Sequence, residues 1–177
     1  MKLIKKIEWQ DIWKKWRESE AGFWENLYRG KEFDTWEEWR RTYTKKLNLE
    51  NKKWGLHSIT PKELLNFQCG AFIGWIDASK EAKSRYFKDL IKTSVFQKNN
   101  KIKNIKEKIP KEINLIGFKK GENIFIFEGN HRCIAISQLL VEKKEIESKI
   151  YISLTSIDEK NNYPFIDYYP EDMFNKK

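Results

Sequence analysis

Five consecutive residues, Glu128-Gly129-Asn130-His131-Arg132, bring together the groups that hold a phosphate. Arg132 offers a guanidinium that can fork onto two oxygens of one anion. His131 adds an imidazole that titrates near neutral pH. Asn130 carries an amide that donates and accepts without titrating. Gly129, lacking a Cβ, lets a ligand come close to the backbone. Glu128 is the acidic member of the group. Such a carboxylate can orient or deprotonate a phosphoryl acceptor, or it can act as a salt-bridge partner or strand-end cap, and both roles stay open.

The flanking residues say how this cluster is positioned. Ile124-Phe125-Ile126-Phe127 has the length and the aromatic and β-branched make-up of a buried strand. Beyond Gly129 the period changes: Cys133, Ile136 and Leu140 recur at spacings of three and four, as on the inner face of a helix. Residues 123–141 therefore read as strand, sharp turn and helix, with Glu128–Arg132 on the turn. There the first helical N–H groups lack intrahelical partners and the dipole end is positive. A corner of this kind attracts phosphate.

Gly129-Asn130-His131-Arg132 after an apolar strand, with Ala135 in the helix that follows, resembles the Gly-x-x-Arg or Gly-His-His-Arg box of the ParB/sulfiredoxin-like superfamily. That superfamily includes the nucleotide-binding N-terminal domain of ParB, sulfiredoxin, and free serine kinases. The resemblance covers residues 54–156. It implies an α+β fold with a small mixed sheet and packed helices, and a nucleotide phosphate held by Gly129, Asn130, His131 and Arg132. It also implies Mg²⁺ with ADP, ATP or CTP, and kinase or nucleotide-hydrolase chemistry with Glu128 and His131 as catalytic groups acting on a small-molecule acceptor. Asn130 departs from the pattern. It stands where sulfiredoxin carries a cysteine and where the kinases carry their first histidine, which removes sulfiredoxin chemistry and keeps hydrogen bonding at that position while losing titration. A second carboxylate is sought at Asp77, beside Glu81, after the glycine–aromatic stretch 67–77. That stretch reads equally as a packed loop or as a wall beneath a base.

Composition bounds the rest. A chain of 177 residues can bury one true core with an added subdomain. Its 40% apolar and 15% aromatic content exclude disorder in spite of 34% charged residues. There is no uncharged apolar run of the length that spans a bilayer, so no membrane partner is expected. Lys2, Lys5 and Lys6 are followed by no apolar signal core, and a cytoplasmic location with reduced Cys69 and Cys133 is the expectation. With His57 and His131 the only histidines, no metal-ligand spacing occurs. The net charge is +9, and residues 80–120 hold thirteen basic against four acidic side chains, the whole of that excess. Lys101, Lys103 and Lys106 therefore carry the competing reading, a DNA-binding or partition-like module that grips the phosphate backbone non-specifically.

Residues 1–50 read as a helical extension and residues 51–177 as the nucleotide-binding domain. Trp9, Ile12, Trp13 and Trp16 share one helical face, and Trp36 and Trp39 begin another behind an Asp34/Glu37 cap. Such stripes are core or an interface for a protein partner or a second copy, rather than base-stacking platforms. Thr60-Pro61-Lys62-Glu63 is a helix start. Residues 79–97 read as one helix, 98–108 as an exposed loop or frayed helix, and 113–118 and 148–154 as strands. The aromatic, acidic stretch 163–174 is expected to lie over the surface.

Overall fold

The computed structural model describes residues 1–70, 72–163 and 166. Its strands are β1 (Lys2–Ile7), β2 (Trp54–Ile59), β3 (Gln68–Cys69), β4 (Glu112–Lys120), β5 (Asn123–Glu128) and β6 (Lys149–Ser156). They form one mixed sheet in the order β1-β2-β6-β4-β5-β3. The β4–β6 and β3–β5 pairs are parallel and the others antiparallel. The chain is thus α+β, with helices on both faces of a mixed sheet. Among the described residues no helix is long and apolar enough to cross a membrane.

Period-two alternation sorts the side chains between the faces. On one face Ile124 and Ile126 of β5, Ile113 and Leu115 of β4, and Ile150, Ile152 and Leu154 of β6 form a single core. It is covered by α4 (Pro61–Leu64), α5 (Ile73–Ala82), α6 (Phe87–Leu90), α7 (Ser94–Gln97), α8 (Asn100–Glu107) and α9 (Asn130–Val141). On the other face stand Phe125 and Phe127 of β5, and Ile116 and Phe118 of β4. These need a second cover, which the N-terminal helices supply: α1 (Trp9–Glu20), α2 (Glu25–Arg29) and α3 (Trp36–Thr44).

The tryptophan stripes are core, as their spacing predicts. Trp9 stacks on Trp54 of β2 at 5.2 Å between centroids, Trp16 meets Phe127 at 5.5 Å, and Trp36 packs edge-on against Trp16 at 5.1 Å. Edge-to-face and offset contacts of this kind suit the ring quadrupoles.

Residues 1–50 are not all helix. Lys2–Ile7 pairs antiparallel with β2, from Lys2 opposite Ser58 to Ile7 opposite Trp54. The outer edge of β2 would otherwise leave a row of unpaired N–H and C=O groups, and the lysine-rich strand closes it with its side chains in solvent. The cap of α3 lies one residue later than expected. Glu38 Oε2 accepts from the backbone N–H groups of Asp34 and Thr35 at 3.1 and 3.3 Å, and the Thr35 hydroxyl accepts from Glu38 N at 3.2 Å. The Thr60/Glu63 start of α4 is as read, with Thr60 N donating to Glu63 at 2.7 Å.

Residues 79–97 are not one helix. Helix α5 begins earlier, at Ile73, and ends at Ala82, where Lys83 turns left-handed at φ 49°. The chain then has to serve the edge of β3: Arg85 O accepts from Cys69 N at 2.9 Å, and the buried Arg85 guanidinium donates to Cys69 O. Tertiary hydrogen bonds here override helical periodicity. The lysine-rich 98–108 stretch is largely the helix α8, because Asn99 caps it by accepting from Ile102 N at 3.1 Å and Ile102 is buried among the residues of the first core. Of the 163–174 stretch only Tyr163 and Ile166 are described, both buried on the tryptophan face; the rest lies outside the described residues.

Because α1 and α3 cover a sheet face, losing their central ring is expected to destabilise the whole chain. Trp36 is 1% exposed, and Trp36→Ala should cost about 3–5 kcal/mol. Urea unfolding followed by far-UV circular dichroism would measure this, and a loss below about 1 kcal/mol would contradict the packing.

Candidate functional site

Strand β5 passes into α9 through a single left-handed residue. Gly129 has φ +99°, and a Cβ built on it would lie 2.3 Å from Cδ2 of Leu115. Two constraints therefore demand glycine at this position, the dihedral angle and the leucine beneath it. Helix α9 begins at Asn130, with Cys133 N donating to Gly129 O at 3.0 Å. Asn130 is only 7% exposed. Its Nδ2 donates to Phe127 O at 3.5 Å, while its Oδ1 is buried without a hydrogen-bond partner. An orphaned buried acceptor is costly, which makes this amide a place where a donor is wanted.

Arg132 does not project freely from the corner. Its Nη2 donates to Glu128 Oε2 at the end of β5, four residues back across Gly129. Both side chains are partly covered, Arg132 at 26% and Glu128 at 15% exposure. In front of this pair opens a cavity of about 780 Å³ to which Glu128, Gly129, Asn130, His131 and Arg132 all contribute. A second cavity of about 840 Å³ shares Trp16, Ser19, Glu128 and Arg132 with the first. The ion pair therefore stands between two open spaces rather than deep in the core.

The opposite wall of the first cavity comes from the N-terminal helices. Trp16, Glu20, Phe23, Trp24 and Arg40 line it, with Lys101 and Lys108 from the α8 side and Phe72 and Trp75 from the start of α5. Arg40 pairs with Glu20 at 2.5 Å, and its guanidinium carbon lies 4.0 Å from the Trp39 ring centroid and 5.1 Å from that of Trp16. Two arginine–glutamate pairs thus face the same space from opposite sides.

This crowding shifts the ionisable groups. Burial raises the Glu128 carboxyl to about 7, with Arg132 opposing the rise and Glu20 adding to it. Burial lowers His131 to about 4, helped by the positive charges of Lys101 and Arg132. His131 is therefore neutral at pH 7, its ring 5.2 Å from Trp75 and edge-on to it. Partial burial lowers Lys101 as well, against the pull of Glu20 and Glu128. Burial pushes the Cys133 thiol up, away from the thiolate form, so it remains a packing residue.

The corner residues are brought together as their spacing implies, but Asp77 is not among them. It lies on α5 with 81% of its side chain exposed, 3.6 Å from Lys80, and does not line the cavity. Glu81 instead accepts from Ser94 N and Oγ at 2.8 and 3.0 Å. The three lysines of the nucleic-acid reading are divided. Lys101 faces the cavity, Lys106 pairs with Glu142 at 2.5 Å, and Lys103 is exposed. Sequence reasoning missed Glu20 and Arg40. Their only signal is position, at the end of one tryptophan stripe and directly after Trp39 in the other. Among the described residues no group of three or more His, Cys, Asp or Glu side chains could hold a metal ion. Compared with family models, with curated proteins and with solved structures, the chain matches none.

Gly129→Ala is expected to cost about 2–4 kcal/mol in chemical denaturation, from the left-handed dihedral and the overlap with Leu115. The carboxyl and the imidazole act oppositely on the pH dependence of stability. Glu128 stays protonated in the folded protein while the unfolded chain ionises, so its contribution falls as pH rises from about 4.5 to about 7. His131 resists protonation when folded, so its contribution falls as pH drops from about 6.5 to about 4. Stability curves of Glu128→Gln and His131→Gln against the parent chain should separate the two. The Glu128→Gln curve should gain relative to the parent with rising pH, by roughly 3 kcal/mol or less.

Proposed function

We propose that this chain binds a nucleotide, with its phosphates at the Gly129–Arg132 corner inside the cavity of about 780 Å³. The observation that carries the reading is the start of α9, a twelve-residue helix whose first turn opens onto a space lined by the cations Arg40, Lys101, Lys108 and Arg132. Helix N–H groups and cations together favour a multiply charged anion. The cavity volume lies in the range of small-molecule sites.

Binding is better supported than turnover. Phosphoryl transfer needs a carboxylate to orient or deprotonate the acceptor. Glu128 is at the cavity wall with a pKa near neutrality, suited to exchanging a proton, but it is held by Arg132. An anion that drew Arg132 towards itself would release Glu128, so ligand binding and the availability of the carboxyl are linked. Asp77 has no part in this arrangement. Mg²⁺ would enter with the phosphates of the nucleotide.

ADP, ATP, CTP and GTP, each with and without Mg²⁺, are to be screened by thermal shift, since a ligand of the native state alone raises the melting temperature. At least one should stabilise the chain. In calorimetry Arg132→Ala should weaken that ligand by at least about tenfold, the scale of one lost charge-assisted contact. Asn130→Ala, which leaves the ion pair in place, should weaken it by a smaller factor. No shift with any nucleotide, or unchanged affinity in both variants, would overturn the reading.

A further inference from the structure

The cavity has two chemically distinct ends, and the second belongs to the N-terminal helices. At the corner between α1 and α2, Phe23 and Trp24 meet edge-to-face at 4.7 Å. Trp24 is anchored on Trp39, with centroids 6.2 Å apart. Phe23 is 69% exposed, an unusual state for a phenylalanine at the rim of a cavity. Over both rings sits the Lys101 ammonium, 4.8 Å from the Phe23 centroid and 4.9 Å from that of Trp24. Lys101 makes no ion pair among the described residues, and Asn104, one turn further along α8, lines the same wall with an exposed amide.

We infer that Phe23, Trp24, Lys101 and Asn104 form the base-binding end of the site proposed above, taking a planar heteroaromatic ring whose phosphates reach the α9 corner. The inference rests on that reading and adds the part of the ligand that a phosphate site leaves undefined. A flat ring covers the exposed face of Phe23, and stacking of this kind is tolerant of base identity. Carbonyl and ring-nitrogen acceptors on the edge of a base meet the donors of Lys101 and Asn104. A simple phosphate or sugar phosphate would leave the aromatic end in water, where an exposed apolar surface gains nothing. The tryptophan-rich segment would then have two tasks, covering the sheet and closing the cavity at the base end.

Calorimetry of the parent chain and of Phe23→Ala and Phe23→Tyr, with ADP, CDP, GDP, UDP and inorganic pyrophosphate, tests this. Phe23 is exposed, so its loss should leave the fold unchanged, which a thermal melt confirms. At least one nucleoside diphosphate should bind the parent more tightly than pyrophosphate. Phe23→Ala should weaken that nucleotide by about tenfold, the middle of the range for one stacked base, with pyrophosphate affinity changed less than about twofold and the nucleotide restored by Phe23→Tyr. The base-binding end is refuted if no nucleotide outbinds pyrophosphate, if Phe23→Ala leaves the preferred nucleotide unchanged, or if it weakens both ligands alike. If pyrophosphate also fails to bind the parent, the phosphate corner fails with it, so the two failures are distinguishable.

Discussion

Strand β5 has large apolar residues on both sides, and much of the architecture answers to that constraint. Ile124 and Ile126 can be buried by α9, which follows directly in the chain, but Phe125 and Phe127 point away from it. Two phenylalanines on an uncovered sheet face would expose the kind of apolar patch that destabilises a monomer. The cover comes from the far end of the sequence. Helices α1 and α3 bring Trp9, Trp16, Trp36 and Trp39 onto this face, and strand β1 holds their start in register by pairing with β2. The cavity lies where that cover meets the β5–α9 corner, so it exists only because both layers are present.

Charge at this junction is balanced in pairs. Glu128 with Arg132 and Glu20 with Arg40 each keep a partly buried guanidinium next to a carboxylate. Partly buried ion pairs contribute little net stability, because desolvation offsets much of the attraction. Their value here is positional. Arg40 is fixed among tryptophan rings, Arg132 is fixed across the glycine turn, and both remain at the edge of the open space. Burial and the charge of Glu20 raise the Glu128 carboxyl, and Arg132 opposes that rise.

The elements around the corner were legible in the sequence because their signals are local. The Ile-Phe-Ile-Phe run, the glycine and the change from period two to period three-and-four are enough to place strand, turn and helix, and Thr60-Pro61 marks a helix start by capping chemistry alone. Elements decided by partners far away were not legible. Lys2–Ile7 is a strand because β2 needs a neighbour, and the 79–97 stretch breaks because Arg85 serves the edge of β3. Neither segment carries that information in its own residues.

The residues of the site divide in the same way. Sequence by itself determined the corner: glycine marks the turn, which at φ +99° over Leu115 leaves no room for a Cβ, and Asn130, His131 and Arg132 follow it on the first turn of α9. Tertiary structure alone decided what the corner faces. It latched Arg132 to Glu128, left Asp77 in solvent, made His131 neutral by burying it beside two cations, and brought Glu20, Phe23, Trp24 and Arg40 from about a hundred residues away to form the opposite wall. The physical reason is that local backbone preference acts over one or two turns, whereas burial, pKa and cavity shape are properties of surfaces that meet only after the sheet has been covered on both faces.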